Sequence, residues 1–157
     1  LETVSLRYFN VYGPRQGFAS SYYGVITAFI TRLLNDQAPI IYGDGNQTRD
    51  FVHVDDVVSA NMLALESKNA VGEVFNIGSG TAIAIYELAK ILRQITNKEH
   101  LKLLFTERRA GDVKHGSADI SKARKLLGFH PKIGLKEGLL KLVRWNLRLA
   151  QKNLTLS

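Results

Sequence analysis

Residues 43–56 read GDGNQTRDFVHVDD, and this stretch decides the fold around it. The Asp44-Gly45 pair suits a tight turn, because both residue types tolerate the positive φ angles that such turns demand. Residues 51–54 then supply the apolar, β-prone side chains of a strand that runs into a helix. Arg49 stands between the turn and the strand. The stretch therefore predicts a place where an anion site can be built.

The remaining sequence alternates between strand and helix patterns. Strands are predicted at residues 3–9, 40–42, 49–52, 74–77 and 101–105, and helices at about 23–35, 56–67, 85–96, 120–127 and 135–151. Asp55 or Asp56 is predicted to cap the second helix, whereas Ala84 leaves the third without a side-chain cap. Gly128 is predicted to end the fourth helix, and Leu147 to lie on the apolar side of the fifth. This order indicates a mixed α/β chain forming one compact unit.

Two further motifs flank this stretch in the chain: RYFNVYG at 7–13 and RRAGD at 108–112. With them, the chain resembles the C-terminal half of nucleotide-sugar epimerases, which belong to the extended short-chain dehydrogenase/reductase family. The resemblance runs from Leu6 to about Leu142. It implies the C-terminal part of a Rossmann-like α/β fold. Residues 1–20 would be a strand and loop of the Rossmann sheet, and residues 21–157 a small mixed α/β domain that binds the nucleotide sugar.

Arg49 and Arg109 are the main candidates for binding a diphosphate. A guanidinium group is always charged and offers a planar fork of donors that fits phosphate oxygens. The resemblance implies that these two arginines hold the diphosphate of the nucleotide sugar. It also implies that Asp112 accepts hydrogen bonds from the ribose, which suits a group with two acceptor oxygens. Arg108 is an alternative diphosphate contact, and a surface salt bridge is the alternative role for either arginine.

The resemblance implies contacts for five further residues. Asn10 matches an asparagine that contacts the substrate, and Phe9 matches a residue that lines the nicotinamide pocket. Both come at a strand end, where ligands bind in open α/β sheets. Ile40 and Tyr42 fall where the family holds the base. Gly116 matches a position beside the sugar where a small residue leaves room for an N-acetyl group; alternatively, it permits an unusual backbone angle.

Two patterns imitate functional motifs. GSG at 78–80 follows a strand and precedes a helix, but the third glycine of a dinucleotide loop would fall at Ile83. YELAK at 86–90 has the spacing of the family's catalytic Tyr-x-x-x-Lys, yet that pair precedes the RYFN strand in the family. Both patterns are therefore expected to be structural, and no catalytic residue is predicted in this chain. The four histidines show no ligand spacing, so no metal site is predicted.

Composition bounds the partners and the location. The net charge of +7 would suit a polyanion, but lysine and arginine are spread over several helices, so no nucleic-acid partner is predicted. The absence of cysteine excludes disulfides and thiolate catalysis. No apolar run is long enough for a membrane span, and no signal peptide is visible. A cytoplasmic protein without a membrane contact is expected, and the lack of a starting methionine fits an excised piece.

The resemblance implies the substrate-binding portion of an NAD-dependent UDP-sugar 4-epimerase, acting on UDP-glucose and UDP-galactose or on UDP-N-acetylhexosamines. The complete enzyme is expected to be a homodimer. The chain alone is expected to lack activity and NAD binding, because the glycine-rich loop and the Tyr-x-x-x-Lys helix are not in it. One alternative is a sugar 4,6-dehydratase, but those usually place a histidine where Gly111 here adjoins Asp112 directly. The other alternative is a non-catalytic nucleotide-sugar binding module.

Overall fold

The computed structural model describes residues 1–16 and 24–154, with no side chains described for 152–154. The mixed α/β class is confirmed. In chain order the elements are β1 (Ser5–Tyr8), β2 (Asn10–Tyr12), α1 (Val25–Leu34), β3 (Ile40–Tyr42), β4 (Thr48–His53), α2 (Val54–Glu66), a short 3-10 helix (Lys68–Ala70), β5 (Val74–Ile77), β6 (Ala82–Ala84), α3 (Ile85–Ile95), β7 (Leu104–Thr106), α4 (Ser121–Leu127) and α5 (Leu135–Leu154).

Most of the predicted elements are present within a few residues of their expected bounds. The predicted start of the first helix at residue 23 lies outside the described residues. β2 and β6 were not predicted, because a strand of three residues carries too little alternation to be recognised. Gly128 ends α4 with φ of 65°, which confirms the predicted glycine stop.

The cap of α2 corrects one prediction. The helix begins at Val54, and its N-cap is His53, whose Nδ1 accepts a hydrogen bond from the N–H of Asp55 at 3.2 Å. The prediction that Asp55 or Asp56 caps this helix was therefore wrong. Asp56 is buried in the first turn, where its carboxylate accepts hydrogen bonds at 2.8 and 3.2 Å from the N–H groups of residues 132 and 133. The Asp56 carboxylate, which the local pattern assigned to the cap, thus binds backbone groups that are distant in sequence.

The chain divides into two units that interleave along the sequence. Unit 1 comprises Leu1–Tyr12, Thr48–Ile83 and His115–Leu135, and unit 2 comprises Gly13–Gln47, Ala84–Lys114 and Lys136–Ser157. This division follows contacts within the chain. The predicted boundary near residue 20 concerns a longer protein, and it stays a prediction.

Unit 1 is built on short parallel strands. β1 pairs with β5 in the register Ser5↔Val74 to Tyr8↔Ile77, and β2 pairs with β4 in the register Asn10↔Phe51 to Tyr12↔His53, with β6 on the other side of β4. Apolar side chains from these strands, α2, α4 and the segment before α4 form one core. Its members include Val52, Val57, Ala60, Phe75, Ile77, Ala118, Ile120, Ala123 and Phe129.

Unit 2 packs three helices with a parallel strand pair. β3 pairs with β7 in the register Ile40↔Leu104 to Tyr42↔Thr106. Its buried apolar residues include Ile26, Phe29, Ile30, Leu33, Ile41, Leu88, Leu92, Leu139 and Leu142. Leu147, predicted on the apolar side of α5, is 45% exposed, whereas Asn146 is buried. Asn146 continues the helical stripe of residues 139, 142 and 143, and its Nδ2 donates to the carbonyl of Leu142 at 3.0 Å.

Candidate functional site

The predicted site residues are divided between the two units. Phe9, Asn10, Arg49 and Gly116 belong to unit 1, and Ile40, Tyr42, Arg109 and Asp112 belong to unit 2. Each unit presents its own group of side chains at the end of a parallel strand pair or in the loop beside it.

In unit 1, Phe9 and Asn10 directly follow the carboxyl end of β1. The N–H of Phe9 donates to the carbonyl of Ile77 at 2.9 Å, and its ring packs against the core of the unit. Asn10 is exposed, and its Nδ2 donates to the backbone carbonyl of Asp50 at 2.9 Å. The carboxyl ends of parallel strands are where ligands bind in open α/β sheets. The structure therefore puts Asn10 at the edge where a ligand is expected.

Arg49 and Gly116 meet at one backbone carbonyl. The Nη1 of Arg49 donates to the carbonyl of Thr48 at 2.7 Å, and the N–H of Gly116 donates to the same oxygen at 3.0 Å. His115 forms a parallel bridge with Thr48. Residues 115 and 116, which lie far from β4 in sequence, thus run alongside the start of this strand.

The backbone of Gly116 is ordinary, which bears on one of the two predicted reasons for a glycine and leaves the role beside the sugar a prediction. Its φ lies outside the positive region, so the alternative that it permits an unusual backbone angle is wrong. A Cβ added there would lie 3.6 Å from the carbonyl oxygen of Thr48 and 3.9 Å from the Cδ of Arg49. Both are normal contact distances, so a single added Cβ fits beside Arg49.

Asp50 is a buried residue that the sequence reasoning missed. Its carboxylate has no exposed surface and accepts hydrogen bonds from the N–H and Oγ of Ser79, both at 2.7 Å, from the N–H of Gly80 at 2.9 Å and from the N–H of Ala118 at 3.1 Å. The sequence shows an aspartate directly after Arg49, but the local pattern indicated only that this residue belongs to a predicted strand.

The N–H groups of the GSG loop at 78–80 bind a carboxylate of this chain, that of Asp50. The donors that a dinucleotide loop would offer to a pyrophosphate are bonded to Asp50. A Cβ at Gly78 would lie 2.4 Å from the Cβ of Ala118 and 2.9 Å from the Oδ2 of Asp50, so the glycine permits close packing. These residues do not fit the pyrophosphate of NAD.

In unit 2, Arg109 stacks on Tyr42. The Cζ of this exposed arginine lies 3.8 Å from the centroid of the tyrosine ring, a cation–π contact. Among residues 1–16 and 24–154 no carboxylate forms an ion pair with Arg109, so the alternative of a surface salt bridge is not seen there. A contact through the ring face leaves the in-plane N–H donors of guanidinium directed outward.

The RRAGD segment forms a compact turn. Gly111 has φ of 77°, the N–H of Asp112 donates to the carbonyl of Arg109 at 3.3 Å, and the Nη2 of Arg108 donates to the carbonyl of Asp112 at 2.8 Å. Arg108 therefore braces the turn through a backbone contact, which favours Arg109 over Arg108 as the arginine presented to a ligand. The carboxylate of Asp112 is partly buried.

The glycine-rich turn of unit 2 supports β3 and α3. Gly45 has φ of 79°, which confirms the predicted positive angle there, while Asp44 has no positive φ and Gly43 takes φ of 78° instead. The N–H and Nδ2 of Asn46 bond the carboxylate of Asp44 at 2.9 and 3.1 Å, and the backbone bond in particular lowers the pKa of this aspartate. The Nε2 of Gln47 donates to the carbonyl of Tyr42 at 2.7 Å, so the turn is tied to the end of β3.

The start of α3 confirms that Ala84 provides no side-chain cap. Carbonyls of the glycine-rich turn substitute for it: the N–H of Ile85 donates to Gln47 and that of Tyr86 to Gly45, both at 3.0 Å. These bonds satisfy two of the four N–H groups that a helix start leaves open.

The YELAK pair is engaged in local contacts. The ring of Tyr86 stacks against that of Phe105, with 6.4 Å between centroids. Lys90 lies over the Tyr86 ring at 4.4 Å, and its Nζ bonds Glu87 at 3.0 Å, a contact that raises the pKa of this lysine. These contacts suit a structural role, and the absence of a catalytic residue from this chain stays a prediction.

The described residues offer neither a metal cluster nor a membrane-spanning helix. Within residues 1–16 and 24–154, no three histidine or acidic residues are grouped closely enough to hold a metal ion. No helix in the described part of the chain has the length and apolarity needed to cross a bilayer.

A groove of about 600 Å³ runs along β1 and α2 of unit 1. Its lining includes Val4, Leu6, Tyr8, Asn61, Leu65 and Val71. Leu65 is 81% exposed, and among the described residues β1 pairs only with β5. Strands of parallel sheets are normally covered on both faces, so this surface is unusually open for such a strand.

Comparisons with known proteins agree on the family, and they agree on how much of the length of its members this chain spans. A model of the NAD dependent epimerase/dehydratase family matches residues 1–78. A putative UDP-glucose 4-epimerase of Methanocaldococcus jannaschii is 44% identical over 145 residues, which are 92% of this chain and 46% of that protein. Curated relatives at lower identity include a UDP-N-acetyl-glucosaminuronate decarboxylase and a dTDP-glucose 4,6-dehydratase.

Solved structures give the same result. A UDP-glucose 4-epimerase of Thermotoga maritima, solved with UDP-glucose, matches with a TM-score of 0.89 and 41% identity over 96% of this chain and 47% of its own. A UDP-N-acetylglucosamine 4-epimerase of Methanobrevibacter ruminantium, solved with UDP-N-acetylmuramic acid, matches with a TM-score of 0.88 and 38% identity over 95% and 47%. The predicted fold class is confirmed, and the chain spans about half the length of the proteins that it matches.

Proposed function

This chain belongs to the NAD dependent epimerase/dehydratase family, and we propose that it is the substrate-binding portion of a UDP-sugar 4-epimerase. Two relatives, at 44% and 41% identity, are named as epimerases of UDP-glucose. This chain covers 46% and 47% of those two relatives. The activity proposed here is therefore that of a longer enzyme to which this chain contributes.

The observation that carries the proposal is the junction at the carbonyl of Thr48. It brings Arg49, a cation suited to a diphosphate, next to Gly116, a position with space beside it. Asn10 contributes an amide at the neighbouring strand end, bonded to the next residue of β4. These features suit a nucleotide sugar: the cation suits the diphosphate, the amide suits hydroxyl groups, and the space beside Gly116 suits the sugar.

Unit 2 supplies groups suited to the nucleotide. Tyr42 orients the guanidinium of Arg109, which we propose as a second diphosphate contact. The partly buried Asp112 offers a carboxylate with two acceptor oxygens, the chemistry that binds vicinal ribose hydroxyls. Ile40 and Tyr42, at the two ends of β3, are proposed to hold the base.

The redox cofactor of the longer enzyme is proposed to be NAD, which would take a hydride from the sugar and return it. Two relatives solved with NAD and a UDP sugar support this. Phe9 is the residue of this chain proposed to line the nicotinamide pocket. The pyrophosphate would be held elsewhere, because the donors of the GSG loop are bonded to Asp50. We propose that the 157-residue chain alone neither binds NAD nor turns over a UDP sugar.

The longer enzyme is further proposed to be a cytoplasmic homodimer. We also propose that the groove along β1 and α2 is covered by the part of the longer enzyme that this chain does not span. The apolar lining of that groove and the unpaired edge of β1 among the described residues support such a cover.

The runner-up within the fold is a sugar 4,6-dehydratase or decarboxylase, since both occur among the relatives. The direct Gly111-Asp112 junction favours the epimerase, as dehydratases usually have a histidine between these positions. A non-catalytic nucleotide-sugar binding module is the alternative from another class. NAD binding by the isolated chain would point to a complete cofactor site and would contradict the proposed half-enzyme.

Calorimetric titration of the purified chain with UDP, UDP-glucose and NAD tests the proposal. We expect binding of the two uridine nucleotides at one site per chain and none of NAD. A chain that binds no uridine nucleotide would refute the proposed function. Interconversion of UDP-glucose and UDP-galactose by the chain on its own would refute its proposed inactivity.

A further inference from the structure

A fully buried carboxylate lies behind the proposed sugar site of unit 1. Asp50 uses both oxygens as acceptors: Oδ1 receives two donors of Ser79 at 2.7 Å, and Oδ2 receives the N–H groups of Gly80 at 2.9 Å and Ala118 at 3.1 Å. Three of these four partners are backbone N–H groups, which can only donate to the carboxylate. Four donors offset the cost of keeping this group away from water.

These bonds hold together three segments that are distant in sequence. The carboxylate belongs to β4, Ser79 and Gly80 belong to the loop after β5, and Ala118 belongs to the segment before α4. The segments approach closely because residue 78 is glycine, where a Cβ would lie 2.4 Å from that of Ala118. A contact of that length would force the segments apart.

The segment at 115–118 is attached to β4 on both sides of Arg49. The N–H of Gly116 bonds the carbonyl of Thr48, the residue before this arginine, at 3.0 Å. The N–H of Ala118 bonds the carboxylate of Asp50, the residue after it, at 3.1 Å. The backbone carbonyl of Asp50 also accepts the Nδ2 of Asn10 at 2.9 Å. One aspartate therefore connects to every proposed sugar-site segment of the unit.

We propose that Asp50 is a positioning residue for nucleotide-sugar binding. It fixes residues 115–118 against β4, so that Gly116 stays beside Arg49 while the GSG loop acts as the rigid support behind them. Asp50 itself does not touch the ligand, since it has no exposed surface and successive side chains of a strand point to opposite faces. This inference rests on the proposed function, and the experiment below separates the two.

The test variant is Asp50→Asn in the 157-residue chain. The substitution keeps the volume but replaces one oxygen by an NH2 group that faces existing donors. We expect the dissociation constant for UDP to rise about tenfold, because residues 115–118 loosen beside Arg49. We also expect hydrogen exchange at the amide of Gly116 to accelerate at least tenfold. That amide is bonded to Thr48 and not to Asp50, so its exchange reports positioning at a distance.

Asp56→Asn is the matched control. Asp56 is a buried aspartate of the same unit that also accepts backbone hydrogen bonds, from Lys132 and Ile133. These two hydrogen-bond donors lie outside residues 115–118. Its substitution should lower the thermal midpoint while leaving the UDP dissociation constant and the exchange at Gly116 at their wild-type values. The pair of variants separates positioning from a general loss of stability.

Each outcome decides the inference. A folded Asp50→Asn chain with wild-type UDP affinity and wild-type exchange at Gly116 would overturn it, and so would equal losses in both aspartate variants. If Asp50→Asn does not fold, Ser79→Ala removes a single donor of the carboxylate and should shift both readouts in the same direction by about threefold. If the wild-type chain binds no UDP, the proposed function fails, and exchange at Gly116 alone decides the role of Asp50.

Discussion

Gly116 and Arg49 donate hydrogen bonds to the same oxygen, the backbone carbonyl of Thr48, at 3.0 and 2.7 Å. This shared acceptor fixes the glycine relative to the arginine, although the two residues are far apart in sequence. The volume available at position 116 is therefore volume beside a cation proposed to bind the diphosphate. A large side chain introduced there is therefore expected to reduce the space at the proposed sugar site, whereas a single Cβ makes only normal contacts.

The first prediction concerns sugar choice at Gly116. Gly116→Tyr should weaken binding of UDP-N-acetylglucosamine about tenfold relative to UDP-glucose, because the ring would occupy the space proposed for the N-acetyl group. Gly116→Ala is the control and should leave the ratio unchanged, since its Cβ makes only normal contacts. The measurement is the ratio of the two dissociation constants by calorimetry. An unchanged ratio in a folded Gly116→Tyr chain would remove position 116 from the specificity proposal.

Arg49 should contribute a charge-assisted contact to the diphosphate. Arg49→Ala is expected to lose about 1.5 to 3 kcal/mol of UDP binding, or roughly ten- to a hundredfold in affinity. Arg49→Lys should recover only part of this loss, because an ammonium group lacks the planar fork. Titration with UDP measures both variants. Wild-type affinity in the alanine variant would show that Arg49 does not bind the diphosphate.

The stacking of Arg109 on Tyr42 predicts a graded effect in unit 2. Arg109→Ala should weaken UDP binding by about ten- to a hundredfold. Tyr42→Leu keeps the charge of Arg109 and the backbone of residue 42 that is proposed to hold the base, and it removes the aromatic face. That contact is worth about 0.5 to 1 kcal/mol at an exposed site, so the variant should cost about two- to fivefold. UDP titration of both variants gives the comparison. Equal losses would mean that Tyr42 acts on the ligand directly, and no loss in either would exclude this patch.

The glycine-rich turn predicts an acid-sensitive contribution to stability. Hydrogen bonds from Asn46 lower the pKa of Asp44 below its ordinary value of 3.8. A lowered pKa in the folded state stabilises the fold above about pH 4, and this contribution disappears as the pH falls through the folded pKa. The thermal midpoint of wild type should therefore exceed that of Asp44→Asn at pH 7, and the difference should shrink as the pH falls below 3.8. A difference independent of pH would argue against the carboxylate as its source.

Tyr86→Phe should be silent in binding and in turnover. The variant keeps the ring that stacks on Phe105 and the N–H that bonds Gly45, so unfolding free energy should change by less than about 0.5 kcal/mol. UDP affinity of the chain, and turnover in an enzyme of the relatives' length that contains it, should match the parent. Loss of turnover with an intact fold would make this tyrosine catalytic and would contradict the predicted structural role of the YELAK pair.

Local sequence pattern determined the elements and most of the turn chemistry. The strand at 74–77 and the helix that starts at residue 85 follow from apolar periodicity, and the stop at Gly128 follows from the freedom of glycine at positive φ. The candidate site residues came from three short motifs and their order. Such features are readable because residues near in sequence create them.

Only the tertiary structure decided what the polar side chains of these elements bind. Sequence pattern assigned the cap of α2 to Asp55 or Asp56. In the structure His53 is the N-cap, and the buried carboxylate of Asp56 accepts hydrogen bonds from the N–H groups of residues 132 and 133. The GSG loop was predicted to be structural, but only the structure identified Asp50 as the group that its N–H donors bind. A buried charge must find its hydrogen-bond partners wherever the fold provides them, and those partners lie tens of residues away, beyond the reach of any local pattern.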